Sequence, residues 1–514
     1  MSKGQVISLE RLLEGVDVLH LEGDRQVGVR GIRHDSRQVQ AGDLFVAMTG
    51  AKVDGHRYLA EVAKQKAVAA VVARPPVGLA LPAWVQVADT RQALARLSAN
   101  FHGHPSLDMA VVGITGTNGK TTLTYLMESV FKAAGGSPGV IGTVEVRYAG
   151  RREVAVHTTP ESDDLQAILA RMRDAGCSHV LLETSSHALD LQRSLGCHFQ
   201  VGVFTNLSRD HLDFHGDLER YAQAKRLLFS RELKESQAQG KWAVFNADDP
   251  ASEQMIEGWH GNRLGFGRSS QGEVRPLGPV HMGLDGLRAE IVCGAERLQL
   301  NSALIGSHNL ENLLAAVAVA HVLGVAPRHI ESGLHACRKV PGRLERVVHD
   351  QGKGPAVFVD YAHTDEALVN VLDALRPLTP GRLIVVFGCG GDRDQGKRPL
   401  MGGAVAAKAD LALVTSDNPR SEDPDAIIAQ ILPGLTSAGW RQKDAGYLLD
   451  DSHKVFIVQP DRRSAIREAV ALAGAGDVVL VAGKGHETTQ TIGEEKHEFD
   501  DRLEAAAALR EVSK

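Results

Sequence analysis

The densest chemistry in the sequence lies in Gly113-Ile-Thr-Gly-Thr-Asn-Gly-Lys-Thr-Thr122. The apolar run Met109-Ala-Val-Val112 precedes it, and Leu123 to Phe131, with apolar positions at helical spacing, follows. A glycine turn between a strand and a helix points backbone N–H groups and a helix N-terminus at a phosphate. Gly116, Thr117, Asn118 and Gly119 form that turn, and Thr122 follows it into the helix. Lys120 adds a point charge for outer phosphates, and the Thr121 hydroxyl is a hard ligand for magnesium. One position departs from the P-loop pattern: Ile114 stands five residues before Gly119, where glycine is expected, with Gly113 and Gly116 nearby.

Three further groups belong to the same chemistry. Glu183 closes the apolar run His179-Val-Leu-Leu182 and is the natural carboxylate partner for an ion held by Thr121. An unpaired carboxylate in that core position would cost several kcal/mol. His211 and His215 sit in the turn Ser208-Arg-Asp-His-Leu-Asp-Phe-His215, which suits a second metal or an ordinary polar loop. Lys225, on a helical pattern from Tyr221 to Phe229, reads on chemistry alone as a solvated lysine.

At 514 residues the chain exceeds one core, and about three domains are expected. The periodicity gives an α/β fold with three domains: a small α/β unit over 1–104, a P-loop unit with a mostly parallel sheet over 105–342, and a Rossmann-like unit over 343–514. In the first, Asp43–Met48 and Ala67–Val72 read as strands and Thr90–His102 as a helix. In the second, segment 263–305 alternates like antiparallel strands added to the parallel core, and a helix runs from Leu310 to Leu323.

In the third, four apolar runs each end in a polar turn. Ala356–Val359 precedes Asp360-Tyr-Ala-His363, Leu383–Phe387 precedes Gly388–Asp394, Leu411–Val414 precedes Thr415–Arg420, and Val478–Val481 precedes Ala482–Glu487. Ligands bind at the carboxyl ends of parallel strands, so this repetition predicts a binding rim.

A net charge of −6 without long basic runs argues against nucleic acid or a membrane as partner. The five cysteines have no metal or redox spacing. Charge interrupts the N-terminal apolar run too early for a signal peptide, so a cytoplasmic protein is expected, acting as a monomer on small molecules.

Taken together, Gly-Thr-Asn-Gly-Lys-Thr-Thr at 116–122, Glu-x-Ser-Ser-His at 183–187, Asn-Leu-Ser-x-Asp-His-Leu-Asp at 206–213 and Tyr-x-x-Ala-Lys at 221–225 resemble the Mur ligases. So do Gly-x-His-Asn-x-x-Asn at 306–312, Pro-Gly-Arg at 341–343 and Asp-Tyr-Ala-His at 360–363, all in the family's order. Within the family, Gly-Gly-Asp-Arg-Asp at 390–394, Asp-Asn-Pro-Arg at 417–420 and Gly-Lys-Gly-His-Glu at 483–487 resemble the members that add the third peptide residue. Those join meso-diaminopimelate to UDP-N-acetylmuramoyl-L-alanyl-D-glutamate in bacterial peptidoglycan precursor synthesis.

The resemblance implies ATP as phosphoryl donor, an acyl-phosphate intermediate and two magnesium ions. Thr121 and Glu183 would hold one ion; His211 and Lys225 would serve the other, Lys225 carrying a CO2-derived carbamate (N6-carboxylysine). Lys120, Glu183, His211 and Lys225 are then the catalytic set. His308, Asn309 and Asn312 resemble adenine-side residues, and Arg343, Asp360 and His363 resemble phosphate and ribose contacts. Ser36 and the 50–55 loop would meet the UDP-sugar, and Thr158, Thr159, Ser185 and Arg193 its peptide end. Arg393, Asp417, Asn418, Pro419, Arg420, Gly483 and Glu487 would form the diaminopimelate pocket, with Arg420 gripping the distal carboxylate. The chain departs from relatives at Asp365, where many have proline, and at Leu191, where some place glutamine.

Overall fold

Short β-branched runs bounded by glycine turns make the three sheets that carry the polar clusters. The computed structural model describes residues 5–50, 53–78, 81–269, 271–348, 354–443 and 454–512, so residues 51 and 52 of the 50–55 loop lie outside the described residues. The chain divides into two units, residues up to Arg275 with Leu314–Gly333, and Pro276–Leu313 with Leu334 onward. The N-terminal sheet and the parallel strands of the central sheet lie in the first unit, with separate cores, and the C-terminal sheet lies in the second.

In the N-terminal sheet, strands β1 (Val18–Gly23), β2 (Gly31–Arg33), β3 (Asp43–Val46), β4 (Ala69–Val72) and β5 (Ala83–Val87) lie in the order β1-β5-β4-β3-β2, parallel except for β1. Helices α1 (Leu59–Lys64) and α2 (Thr90–His102) accompany it. Asp89 caps α2 by accepting from the Arg91 and Gln92 amides, and Gly103 ends it at φ 67°. Leu94, Leu97 and Phe101 of α2 pack with Leu44, Val46, Val71 and Val85 of the sheet.

The central sheet is built on β6 (Ala110–Thr115), followed by α3 (Lys120–Ala133), β7 (Pro138–Ile141), β8 (Glu145–Tyr148) and β9 (Arg151–Val154). Then come α4 (Ser162–Asp174), β10 (His179–Glu183), α5 (Ser186–Asp190), β11 (Phe199–Phe204), α6 (Leu218–Leu227), β12 (Trp242–Asn246) and β13 (Asn262–Phe266). From β9 to β13 the order is β9-β8-β7-β10-β6-β11-β12-β13, and within this stretch only the β7–β8 and β8–β9 pairings are antiparallel. Helices cover both faces, which is why β6, β10 and β11 read as continuous apolar runs rather than alternating ones.

The reading of 263–305 as wholly antiparallel needs correcting. β13 pairs in parallel with β12, from Trp242 opposite Asn262 to Asn246 opposite Phe266, and so extends the parallel core. Its first two residues, Asn262 and Arg263, are exposed and the next three, Leu264 to Phe266, are buried. The antiparallel hairpin is real further on, between β14 (Gly286–Cys293) and β15 (Glu296–Ser302).

Helix α7 (Ser307–Val322) starts earlier than expected. The third sheet uses β16 (Glu345–Val347), β17 (Ala356–Asp360), α8 (Asp365–Leu375), β18 (Leu383–Phe387), α9 (Lys397–Lys408), β19 (Leu411–Val414) and α10 (Pro424–Thr436). It continues with β20 (Val455–Val458), α11 (Arg462–Leu472) and β21 (Val478–Ala482), before the hairpin β22 (Thr489–Ile492) and β23 (Glu495–Glu498) and the helix α12 (Asp501–Val512). The strand order is β16-β17-β21-β18-β19-β20, with the two-residue strand Arg441–Gln442 beyond β20, parallel except for β16, with a buried cluster on each face. All four predicted runs are strands, and their polar turns share one sheet edge. Among the described residues no disulfide forms and no helix is long and apolar enough to cross a membrane.

Candidate active site

β6 ends at Thr115 and α3 begins at Lys120, so the glycine turn occupies 116–119, at the carboxyl end of the central strand. Gly116 and Gly119 have φ of 143° and 90°. A Cβ on Gly116 would stand 1.9 Å from the Thr205 hydroxyl. Ile114 is wholly buried inside β6, paired with both β10 and β11. The chain is still strand there, which explains why glycine is dispensable. Gly116→Ala is expected to destabilise the protein by at least about 2 kcal/mol, because it combines a disfavoured φ with a hard overlap. A urea midpoint unchanged from wild type would contradict this.

The loop is pinned from β11's polar tail. Thr117 N donates to Asn206 O (2.9 Å), Asn118 N to Asn206 Oδ1 (2.9 Å), and Thr205 Oγ1 to Asn118 O (2.6 Å). Lys120 Nζ folds back onto the carbonyls of Gly116 (2.7 Å) and Thr117 (2.9 Å). A phosphate in the turn would offer that ammonium an anion in place of two neutral oxygens, the stronger kind of hydrogen bond.

Glu183, the last residue of β10, is 1% exposed. It accepts from Thr121 Oγ1 at 3.1 Å, Thr143 Oγ1 at 2.9 Å and Thr143 N at 3.2 Å. Thr143 was not anticipated; its only signal is that it follows the strand β7 by two residues. Gly142 leaves room for the carboxylate, since a Cβ there would lie 2.3 Å from Glu183 Oε1. Two hard oxygen donors, Thr121 and Glu183, therefore converge beside a phosphate cradle, a set that fits magnesium. Among the described residues no cluster of three or more His, Cys, Asp or Glu is preassembled for a metal.

Lys225, expected to be solvated on chemistry alone, is 1% exposed. Its Nζ donates to Gly116 O at 2.9 Å and lies 4.2 Å from the centre of the Tyr221 ring. Burial, with the nearby Lys120 charge, holds its pKa well below the usual lysine range, Asp210 opposing. As an amine it offers a metal no anionic oxygen; as a carbamate it would.

His211 caps the short helix Leu212–His215 at φ 53°, with its ring 4.9 Å from that of His187. Partial burial and the neighbouring His187, Lys120 and Lys225 lower its pKa against the pull of Asp210, leaving a neutral ring with a lone pair. His215 is different: it is buried, and its Nε2 is bonded to Ser186 Oγ at 3.0 Å. Of the two turn histidines, His215 is core.

Thr159, wholly buried, donates to Glu183 O at 2.7 Å and accepts from Ser185 N at 3.2 Å. Arg193 reaches Thr159 O (3.2 Å) and Glu161 (2.8 Å), and Thr158 meets Thr143 at 3.1 Å between hydroxyls. These residues thus form one network with the candidate metal ligand. Ser36, buried in the N-terminal module, sits two residues from His34, whose Nδ1 bonds Asp163 of α4 at 2.8 Å. That bond ties the Ser36 loop to the helix following Thr158 and Thr159.

In the second unit, Asn309 Nδ2 donates to Ile305 O at 2.8 Å and Asn309 Oδ1 accepts from Asn312 at 3.1 Å, so both amides brace the start of α7. His308 is held down to about pKa 4 by burial. Arg343 stacks over Tyr361 at 4.6 Å, and Asp360 binds the amides of Leu344 (2.6 Å) and Ala362 (2.7 Å). His363 Nδ1 donates to Tyr361 O at 2.8 Å, while Lys397 donates to His363 O at 2.9 Å.

The turns after β18, β19 and β21 converge. Gly391 N donates to Asn418 O at 2.9 Å, and a Cβ on Gly391 would meet Pro419 O at 1.8 Å. Asn418 Nδ2 donates to Glu487 Oε2 at 2.8 Å, and a Cβ on Gly483 would meet Asp417 Oδ2 at 2.9 Å. Arg420, at φ 52°, donates to Gly391 O at 2.6 Å. Arg393 alone of the pocket residues is exposed.

Two buried arginines went unanticipated, because arginine on an amphipathic helix normally reads as solvated. Arg398 grips Glu422 at 2.8 Å and reaches Gly390 O at 3.3 Å. Arg462 pairs with Asp501 at 2.7 Å, both wholly buried, and donates to Ala482 O at 2.9 Å.

Parallel sheets with polar turns on their carboxyl edges, and a glycine cradle beside two hard oxygen ligands, define a phosphate-binding α/β enzyme of the P-loop class. Family profiles match along the chain: the Mur ligase family catalytic domain over 28–102, the Mur ligase middle domain over 114–320, and the Mur ligase glutamate ligase domain over 342–485. The chain belongs to the Mur ligase family. A UDP-N-acetylmuramoyl-L-alanyl-D-glutamate–2,6-diaminopimelate ligase of Geobacter metallireducens is 45% identical over 98% of this chain and 99% of its own. One of the same name from Syntrophomonas wolfei is 40% identical over 98% and 99%. A solved structure of a ligase of that name matches with TM-score 0.71 and 31% identity, over 99% of this chain and 100% of its own.

Proposed function

We propose that the protein is an ATP-dependent amide ligase joining meso-diaminopimelate to UDP-N-acetylmuramoyl-L-alanyl-D-glutamate in peptidoglycan precursor synthesis. The observation that carries this reading is the full-length similarity, 40–45% identity, to relatives bearing that name. The convergence of the Asp417–Arg420 turn with Glu487 supports it for the amine substrate.

The γ-phosphoryl group of ATP passes to the D-glutamate γ-carboxylate, ADP leaves, and an acyl phosphate results. The substrate amine then attacks the acyl carbon, loses a proton and expels phosphate. Phosphoryl transfer of this kind asks for positioning and charge neutralisation. Residues 116–122 hold the triphosphate, with Lys120 turning from its own loop carbonyls to the outer phosphates. Thr121 and Glu183 would hold one magnesium ion, and His211 with Lys225, as a carbamate, would serve a second. Magnesium supplies neutralisation of the charge that builds on the transferring group. The depressed basicity of Lys225 supports carbamylation, since only a neutral amine takes up CO2.

His308, Asn309, Asn312, Arg343, Asp360 and His363 complete the nucleotide side. Ser36, Thr158, Thr159, Ser185 and Arg193 meet the UDP-muramoyl dipeptide; Arg393, Asp417, Asn418, Pro419, Arg420, Gly483 and Glu487 meet diaminopimelate. In this reading residues 1–104 bind the UDP-sugar, 105–342 bind ATP and 343–514 bind the amino acid. Oxygen-18 in the γ-carboxylate tests the chemistry: the label should appear in inorganic phosphate, with ADP as the nucleotide product. Label in AMP would instead mean an acyl adenylate and overturn the acyl-phosphate route.

A further inference from the structure

Lys484 lies within Gly-Lys-Gly-His-Glu at 483–487, and its surroundings are unusual. It is wholly buried at the rim turn after β21. Gly483 and Gly485 flank it with φ of 119° and 55°, and a Cβ on Gly485 would lie 2.7 Å from Tyr361 Cβ. Two left-handed glycines in close contact leave the lysine between them little choice of direction.

Its ammonium donates to Asn418 Oδ1 at 3.0 Å and to Glu487 Oε2 at 3.1 Å, and stands 3.7 Å from Asp417 Oδ1. Asn418 Oδ1 also accepts from Thr491 N at 3.0 Å. Two donors on one oxygen fix which way the amide points, so Asn418 Nδ2 must face Glu487 Oε2, where it donates at 2.8 Å. Among the described residues, both hydrogen bonds of the Glu487 side chain fall on Oε2. Oε1 is then the oxygen presented to a ligand. Asp417 Oδ1 is buried without a hydrogen-bond partner. Glu487 Oε1 then offers an anionic acceptor suited to a substrate ammonium.

We propose that Lys484 is a positioning residue of the amine-substrate pocket, fixing the Asn418 amide and the Glu487 carboxylate in the orientation that the substrate meets. The assignment rests on the amide-ligase reading above. Without Lys484, Asn418 Oδ1 keeps only the Thr491 N donor, and Asp417 and Glu487 lose the ammonium that is paired with both. The effect falls on the amine substrate and leaves ATP alone.

The test is Lys484→Met, with KM measured separately for meso-diaminopimelate, ATP and the UDP-muramoyl dipeptide, alongside thermal melting. Wild-type activity with diaminopimelate first decides whether the underlying reading stands. Given that activity, Lys484→Met should raise KM for diaminopimelate about tenfold or more, as loss of an orienting outer partner does, with KM for ATP within about twofold. An unchanged diaminopimelate KM in a cooperatively melting variant overturns the assignment. So does a parallel rise in all three constants, which marks a structural role. In a Glu487→Gln background the same substitution should add less than about threefold, since both act through one contact; full multiplication of the two effects contradicts the proposal. Should the methionine variant not fold, Lys484→Gln keeps a donor without charge. It should give an intermediate rise, and none would overturn the assignment.

Discussion

Lys225→Ala is expected to lower kcat by about 10³-fold or more, the scale on which charge-stabilising groups act in phosphoryl transfer, with partial recovery on adding a short carboxylic acid. The expectation follows from where the side chain lies. It is 1% exposed, bonded to a P-loop carbonyl and close enough to Lys120 for that charge to depress its basicity. A lysine whose work was packing would be served by its methylenes and the Tyr221 ring, and acetate would restore nothing. A carbamate presents an anionic oxygen, and acetate or formate supplies the same group to the cavity that alanine leaves. Full activity in Lys225→Ala, without carboxylic acid, would sink the carbamate. A loss with no rescue, in a variant that melts like wild type, would leave Lys225 a role in the loop but not as a metal-side anion.

Arg420→Lys bears on substrate choice. Arg420 is fixed by its own backbone, N donating to Thr491 O at 3.1 Å and its carbonyl accepting from Gly493 N at 2.7 Å. Gly390 makes room for it, since a Cβ there would lie 3.0 Å from Nη1. Its guanidinium donates to Gly391 O and, among the described residues, forms no ion pair. A planar fork so placed grips a carboxylate bidentately, whereas an ammonium binds as a point charge. Truncating one partner of such a pair costs roughly 2–5 kcal/mol, and the lower end corresponds to about 30-fold in affinity. KM for diaminopimelate should rise by about that factor while KM for ATP moves less than about twofold. Equal constants in the two proteins would remove Arg420 from the pocket.

Where glycine turns and apolar runs coincide, the fold was legible. The helix Thr90–His102 and the four C-terminal strands lie where the pattern put them, because caps and continuous apolar runs are local signals. β13 was not, since a short, partly exposed strand reads the same whether its neighbour runs parallel or antiparallel, and the crossover that decides is a long-range matter. At the site, Lys120, Thr121 and Glu183 were readable because strand, turn and helix fix their spacing. Thr143 and Lys484 were missed, as nothing local marks a threonine or lysine that folding turns toward a carboxylate. His211 and His215 looked alike in sequence, and only burial and the Ser186 bond separate them. The residues around Arg398 and Arg462 show the same limit: burial of an arginine depends on partners some twenty to forty positions away.

The central claim is tested most directly by phosphate release from ATP in the presence of the UDP-muramoyl dipeptide, magnesium and bicarbonate. The amines to compare are meso-diaminopimelate, L-lysine and L-glutamate. Release that depends on diaminopimelate, with lysine at least about 30-fold less effective by kcat/KM, is the predicted result. Release with lysine alone, or with no amine at all, contradicts the account.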